Sequence, residues 1–283
     1  MSNWKDFLKK NNLKETKVEK LKQEAEEGFI NYGVYPRSIN EVGNAIIMMA
    51  RGDEEKYLLV IGEDSSLQDL KGSISEQGDL NVKVCPLSNE NCNVIRTVFP
   101  YTNPQPHKGK KITVGLGDRL GLASPGHIET VEDLDVFPVL AQQSIRELNL
   151  TGRTYEDVIS AAAWAVFQEG YTKGYGADGD HLKTAEEVKM SLDVGMTMIT
   201  LDCSEHIDNS AVDADIAELK EKYEGFPVEE RKKWEERYSN KSFSIGGFNF
   251  DISGDDLIRL ACVYGGAIHH TLDIYHNIIA KCG

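Results

Sequence analysis

Two short blocks, one helix apart, concentrate the side chains of this sequence that can move a proton or hold a cation. Gly176-Ala177-Asp178-Gly179-Asp180-His181-Leu182-Lys183 gathers carboxylates, an imidazole and an ammonium, and Ile199-Thr200-Leu201-Asp202-Cys203-Ser204-Glu205-His206 repeats the theme. Each reads as the end of a buried β-strand where polar groups emerge together. Charged groups are too costly beside a core to be placed there idly, so such clusters are a usual address of chemistry. Asp180 and His181 suit a hard or borderline divalent metal site completed by ligands from elsewhere. Gly179 predicts a tight turn that points its neighbours into one cavity. The competing reading is a capped turn in front of a helix starting near Thr184. The density of ionisable groups favours chemistry for Asp178, Asp180, His181 and Lys183. Asp202 directly follows an apolar strand and is expected on the same rim, although Asp202 or Ser204 serves equally well as a helix cap. Glu205 reads as structural, and His206 is left open.

Gly117-Asp118-Arg119 ends another apolar strand. There Arg119 could hold a carboxylate in a bidentate pair and Asp118 could hold sugar hydroxyls, or the two could simply neutralise each other. His269, Asp273 and His276 share one helical face. Ile268, Leu272, Tyr275 and Ile279 form the adjoining apolar stripe, so these polar residues read as the flank of an amphipathic helix. Gly115-Leu116-Gly117 is not a dinucleotide fingerprint, because its third glycine would fall on Leu120. No phosphate-binding loop, nucleophile elbow or H-E-x-x-H zinc motif occurs. Cys203 reads as a small buried residue.

The elements that must position these groups fall into two regions. Residues 1–105 read as a small α+β domain. Val18, Leu21 and Ala25 mark one helix face, Asn44 to Arg51 and Lys56 to Ile61 read as strands, and Val82 to Cys85 and Val94 to Val98 as shorter ones. The proline-rich stretch Pro100 to Pro106 reads as a linker. Residues 106–283 alternate strands and helices, as a parallel α/β sheet or barrel does. Strands are expected over Lys111 to Leu116 and Asp135 to Leu140. Capping boxes open helices at Thr154-Tyr155-Glu156-Asp157 and Thr184-Ala185-Glu186-Glu187. Surface helices are expected over Val212 to Tyr223 and Val228 to Tyr238, and a long apolar one over Asp256 to Ala280, with Gly265-Gly266 in its middle. A complete (β/α)₈ barrel needs about 250 residues, so either the sheet is open or this region holds part of a barrel.

Composition narrows the function classes. The 283-residue chain is 40% hydrophobic and 27% charged, an ordinary balance for a soluble globular protein. A formal charge of −15 argues against nucleic acid or an anionic membrane as main partner. There is no signal-peptide core and no apolar run of roughly 18 residues to span a bilayer. The five cysteines fit no zinc spacing or disulfide framework, so a reduced, cytoplasmic setting is expected.

Taken in order, Gly115 to Ala123, Gln143-Ser144-Ile145-Arg146-Glu147-Leu148, Phe167-Gln168-Glu169-Gly170-Tyr171, the Gly176 to Lys183 block and the Met198 to Asp208 block resemble the tagaturonate epimerase (UxaE) family. The resemblance runs from about Lys111 to the last residue. It implies an isomerase that interconverts D-tagaturonate and D-fructuronate in hexuronate catabolism, with an incomplete TIM-barrel-like fold and a divalent metal cation as cofactor. Asp180 then stands where the family has a proton acceptor and His181 where it has a metal ligand. Family members are much longer, so the proton donor and remaining ligands are expected beyond Gly283.

The two keto-uronates differ at a carbon one bond beyond the position next to the ketone, whose proton is not acidified. Simple enolisation cannot invert it; retro-aldol cleavage can, with Asp180 taking the hydroxyl proton and a metal stabilising the enediolate. Arg119, Lys183 and Asp118 are expected to position the carboxylate and hydroxyls, with Asp202 also a substrate-binding candidate. The alternatives are another metal-dependent keto-sugar epimerase or aldolase, and a fragment inactive without a second polypeptide.

Overall fold

The computed structural model describes residues 3–13 and 15–281. The chain opens with helices α1 (Trp4–Lys10), α2 (Val18–Glu27) and α3 (Phe29–Tyr32). Strands β1 (Asn40–Val42), β2 (Ala45–Arg51), β3 (Lys56–Ile61), β4 (Ser73–Gln77) and β5 (Leu80–Pro86) follow. They form an antiparallel sheet in the order β1-β2-β3-β5-β4. The run Ala45-Ile46-Ile47-Met48-Met49-Ala50 is apolar throughout because the sheet is covered on both faces. Ile46, Met48 and Ala50 join a core with Phe7 and Leu21 from α1 and α2, while Ala45, Ile47 and Met49 meet the other layer.

That second layer corrects one expectation. Val94 to Val98 is not a strand but the end of helix α4 (Asn89–Val98), whose Ser88 cap accepts the Asn91 amide. Cys92 and Ile95 are buried in the shared core. A buried helical face outweighs the β-propensity of two valines. The stretch after it is tied down: the Tyr175 hydroxyl donates to the Thr102 carbonyl (2.7 Å) and the Gln105 amide to the Tyr175 carbonyl (2.7 Å).

Next come β6 (Thr113–Gly115), α5 (Ser124–Val131), β7 (Phe137–Ser144), α6 (Ile145–Thr151) and α7 (Tyr155–Glu169). Then follow β8 (Gly176–Leu182), α8 (Ala185–Asp193) and β9 (Met198–Leu201). The sheet order is β6-β7-β8-β9, with β6, β7 and β8 parallel, so the α/β expectation is met. The capping boxes expected at Thr154 and Thr184 are formed, and another is present at Ser144.

The chain divides into two compact units, one of residues 1–181 and 190–200, the other of residues 182–189 and 201–283. The antiparallel sheet shares the first unit with most of the parallel one. The reason is the long helix α7, whose Ala163, Trp164 and Phe167 enter the core beneath β2 and β3. The second unit holds α9 (Ile216–Glu224), α10 (Val228–Tyr238), the hairpin β10 (Lys241–Ile245) and β11 (Phe248–Ile252), and α11 (Gly254–Asn277). In α11, Gly265 and Gly266 leave room for close neighbours: a Cβ would lie 2.6 Å from the Phe226 ring and 2.8 Å from the His206 carbonyl oxygen respectively. No described helix is long and apolar enough to cross a membrane. Cys85, Cys92, Cys203 and Cys262 are free thiols; Cys282 lies outside the described residues.

Candidate functional site

The first chemical block is not a turn after a strand but the strand itself. Strand β8 runs through Asp178, Gly179 and Asp180, so the tight turn expected at Gly179 is absent. The unusual backbone lies one residue further on, at His181, with φ of 55°. A left-handed histidine costs roughly 1–3 kcal/mol, and such strain tends to cluster at functional sites. The exposed imidazole has Nε2 3.9 Å from Asp180 Oδ1, a separation longer than a hydrogen bond.

Asp178 and Asp180 are two residues apart and therefore share one face of β8. Asp178 is fully buried. Its Oδ2 accepts hydrogen bonds from Gln142 Nε2 on β7 (3.0 Å) and Thr200 Oγ1 on β9 (2.8 Å), while Oδ1 is buried without a hydrogen-bond partner. Asp180 is only partly covered. Burial raises its pKa, opposed by His181 and reinforced by the negative charges of Asp178 and Glu147. A carboxylate with raised proton affinity at a half-open strand end has the character of a general base.

The Asp118 and Arg119 pair does not neutralise itself. Asp118 accepts the Leu120 amide at Oδ1 (3.0 Å) and the Ala123 amide at Oδ2 (2.5 Å). Burial acts to raise its pKa, and these turn amides outweigh it to leave a net lowering. Its carboxylate thus shapes the turn after β6. Arg119 is exposed and meets Glu147, with Nε 2.6 Å from Oε1. Sequence reasoning missed the group that orders this turn: Gln143 donates from Nε2 to the Asp118 carbonyl (2.6 Å) and accepts from Arg153 Nη1 (2.8 Å). The two glutamines closing an otherwise apolar β7 were the available signal.

The remaining candidates lie in the other compact unit. Lys183 Nζ is 2.5 Å from Glu205 Oε1, an exposed ion pair. That contact raises the Lys183 pKa and lowers that of Glu205. Asp202 Oδ1 accepts the Ser204 amide (2.9 Å), a local turn contact; the short 3₁₀ helix that follows has Cys203 at its N-cap, so Asp202 does not cap it. His206 stacks on His270 at 3.9 Å between ring centroids, and His270 Nε2 donates to the Lys183 carbonyl (2.8 Å). Cys203 is partly exposed, not buried, with Sγ 3.2 Å from Thr271 Oγ1. His269 hydrogen-bonds Glu230 (2.5 Å) and packs beside Trp234, a structural role.

Among the described residues no group of three or more His, Cys, Asp or Glu side chains is placed to hold a metal ion. Asp180 and His181 are two suitable donors, and Oδ2 of the buried Asp178 is already taken up by Gln142 and Thr200. The described residues therefore fall short of a metal site by themselves.

A parallel sheet with carboxylates and an imidazole near its strand ends is the arrangement of an α/β enzyme. The model of the tagaturonate epimerase family, UxaE, matches residues 35–283, and the chain belongs to that family. It is 36% identical over 253 residues to the tagaturonate/fructuronate epimerase of Thermotoga maritima, covering 88% of this chain and 50% of the relative. A glycerol-complexed crystal structure of fructuronate-tagaturonate epimerase UxaE from Cohnella laeviribosi superposes with a TM-score of 0.83 at 46% identity, covering 92% of this chain and 53% of that one. The native crystal structure of the same enzyme gives 0.81 at 47% identity, with coverages of 88% and 50%. The chain spans about half the length of these relatives.

Proposed function

We propose that this chain supplies part of the active site of an epimerase acting on D-tagaturonate and D-fructuronate, and that its parallel sheet is part of a (β/α) barrel. The observation that carries the reading is Asp180, a partly covered carboxylate whose burial raises its proton affinity, at the end of a strand in a chain of this family. Asp180 accepts the proton of the substrate hydroxyl on the carbon to be inverted. The bond between that carbon and its neighbour beside the ketone then breaks, leaving an aldehyde and an enediolate. The aldehyde rotates and the same bond re-forms on its other face. Asp180 returns the proton to the new alkoxide, so atoms and charge balance.

Arg119, whose guanidinium is exposed, and Lys183, whose ammonium sits in a surface ion pair, are the proposed contacts for the substrate carboxylate and hydroxyls. Asp118 contributes through the turn that presents Arg119, and Asp202, at the end of its strand, is a further proposed substrate contact. A divalent cation enters the proposal only as a group that His181 would help to hold, with further donors outside the described residues. The proposed cellular setting is cytoplasmic.

Asp180→Asn, made at the matching position of a full-length relative, tests the assignment. Loss of a general base lowers kcat by about 10²–10⁴-fold while metal content stays unchanged. Unchanged turnover would remove Asp180 from the mechanism. Release of separate aldehyde and keto products from the wild-type enzyme would point to an aldolase.

A further inference from the structure

The hydrogen-bonded cluster around Asp178 is assembled by several independent features. Strand β7 carries an irregularity between Val139 and Ala141: Val139 pairs with Gly176, yet Ala141 pairs with Ala177. Without that extra residue, Ala141 would stand opposite Asp178. With it, Gln142 does. β-bulges are known to re-aim side chains beside active sites. The neighbouring strand and the segment that follows it leave space for the glutamine: a Cβ on Gly115 would sit 2.5 Å from Gln142 Oε1, and one on Gly117 2.9 Å from the Gln142 carbonyl oxygen. From the other side, β9 contributes the Thr200 hydroxyl.

One carboxylate oxygen thus ties β7, β8 and β9 together. A carboxylate only accepts, so it also sets the orientation of the Gln142 amide. A polar clasp of this kind stabilises less than apolar packing of the same volume, and one oxygen remains unpaired at a cost of about 1–3 kcal/mol. What the clasp adds is a defined register, because a slip of one residue would reverse every side chain of β8. Asp180, on the same face two residues later, is the group whose aim depends on that register.

We propose that Asp178 is a positioning residue for Asp180, locking the strand that carries it through Gln142 and Thr200. The proposal rests on the epimerase reading for its catalytic consequence, but not for its structural one. Its test therefore has two arms. In this chain, Asp178→Leu and Thr200→Val are compared with wild type by amide hydrogen exchange. Asp178→Leu loses protection in β8 roughly tenfold or more, reflecting lost hydrogen bonds to a charged group, and Asp178→Asn, which keeps an acceptor, restores most of it. Thr200→Val shows the same local loss more weakly, and serves if Asp178→Leu does not fold. In a full-length relative the matching Asp178→Leu lowers kcat about 10²-fold with KM changed little, and the asparagine variant again recovers activity. Unchanged protection in β8 would overturn the clasp. A change confined to KM, or an asparagine variant as impaired as the leucine one, would overturn positioning in favour of a binding or charge role. Absence of keto-uronate turnover in the wild-type relative would count against the epimerase reading alone, leaving the exchange data to judge the clasp.

Discussion

At the scale of single residues, half-buried ionisable groups divide into those that chemistry explains and those that only stability must bear. Asp180 is proposed to be of the first kind. Glu169 belongs to the second: it sits at the end of α7, and burial raises its pKa, reinforced by Glu129 and opposed by Gln168, Arg37 and Lys56. Lys56, which donates to Gln168 Oε1 (2.6 Å), has its pKa lowered by burial, with Glu169 acting the other way. A carboxyl with a raised folded pKa ionises more readily in the unfolded chain, so the native state loses stability as pH climbs through the ordinary carboxylate range. Glu169→Gln keeps the acceptor that Gln168 Nε2 uses (2.6 Å) and removes the charge. Its melting temperature is expected to exceed wild type at pH 7, with the gap closing below about pH 4. A gap that persists or widens in acid would contradict the assignment.

The elements show how a site depends on backbones approaching closely. Gly115 and Gly117 have ordinary negative or extended backbone angles, so their requirement is space and not conformation. Gly115→Ala meets the end of a glutamine side chain that can swing aside, whereas Gly117→Ala meets a carbonyl oxygen that cannot. Thermal or urea unfolding should show Gly117→Ala to be the costlier change, by about 1–3 kcal/mol, with Gly115→Ala smaller. Equal stability of both variants would mean that β6 can move away from β7. Caps and amphipathic faces were legible in the sequence at this scale, as the boxes at Thr154 and Thr184 show, because their partners lie within one turn. The helix over Val94 to Val98 was not, because its identity rests on a core completed by β2, β3 and α7.

For the molecule as a whole, the chain spans about half the length of its relatives, and the metal question follows from that. Since the described residues bring together no set of three ligands, calorimetric titration of this chain with manganese or zinc is expected to show weak binding, lost on changing His181 to Ala. Tight, stoichiometric binding would require a complete ligand set within these residues.

The sequence by itself determined the alternation of strands and helices after residue 106, the apolar runs that became β2, β3 and β7, and the crowding of ionisable groups around Asp180 and His181. Those follow from side-chain period and local ionisable density, which are properties of neighbouring residues. Only the tertiary structure decided that the block is a strand, that the left-handed backbone falls on His181 and not Gly179, and that Asp178 is clasped by Gln142 and Thr200. It also decided that Asp118 and Asp202 spend carboxylate oxygens on backbone amides. The register of parallel strands joins residues far apart in the chain through hydrogen bonds, and a one-residue bulge changes every partner without leaving a signature in the local sequence.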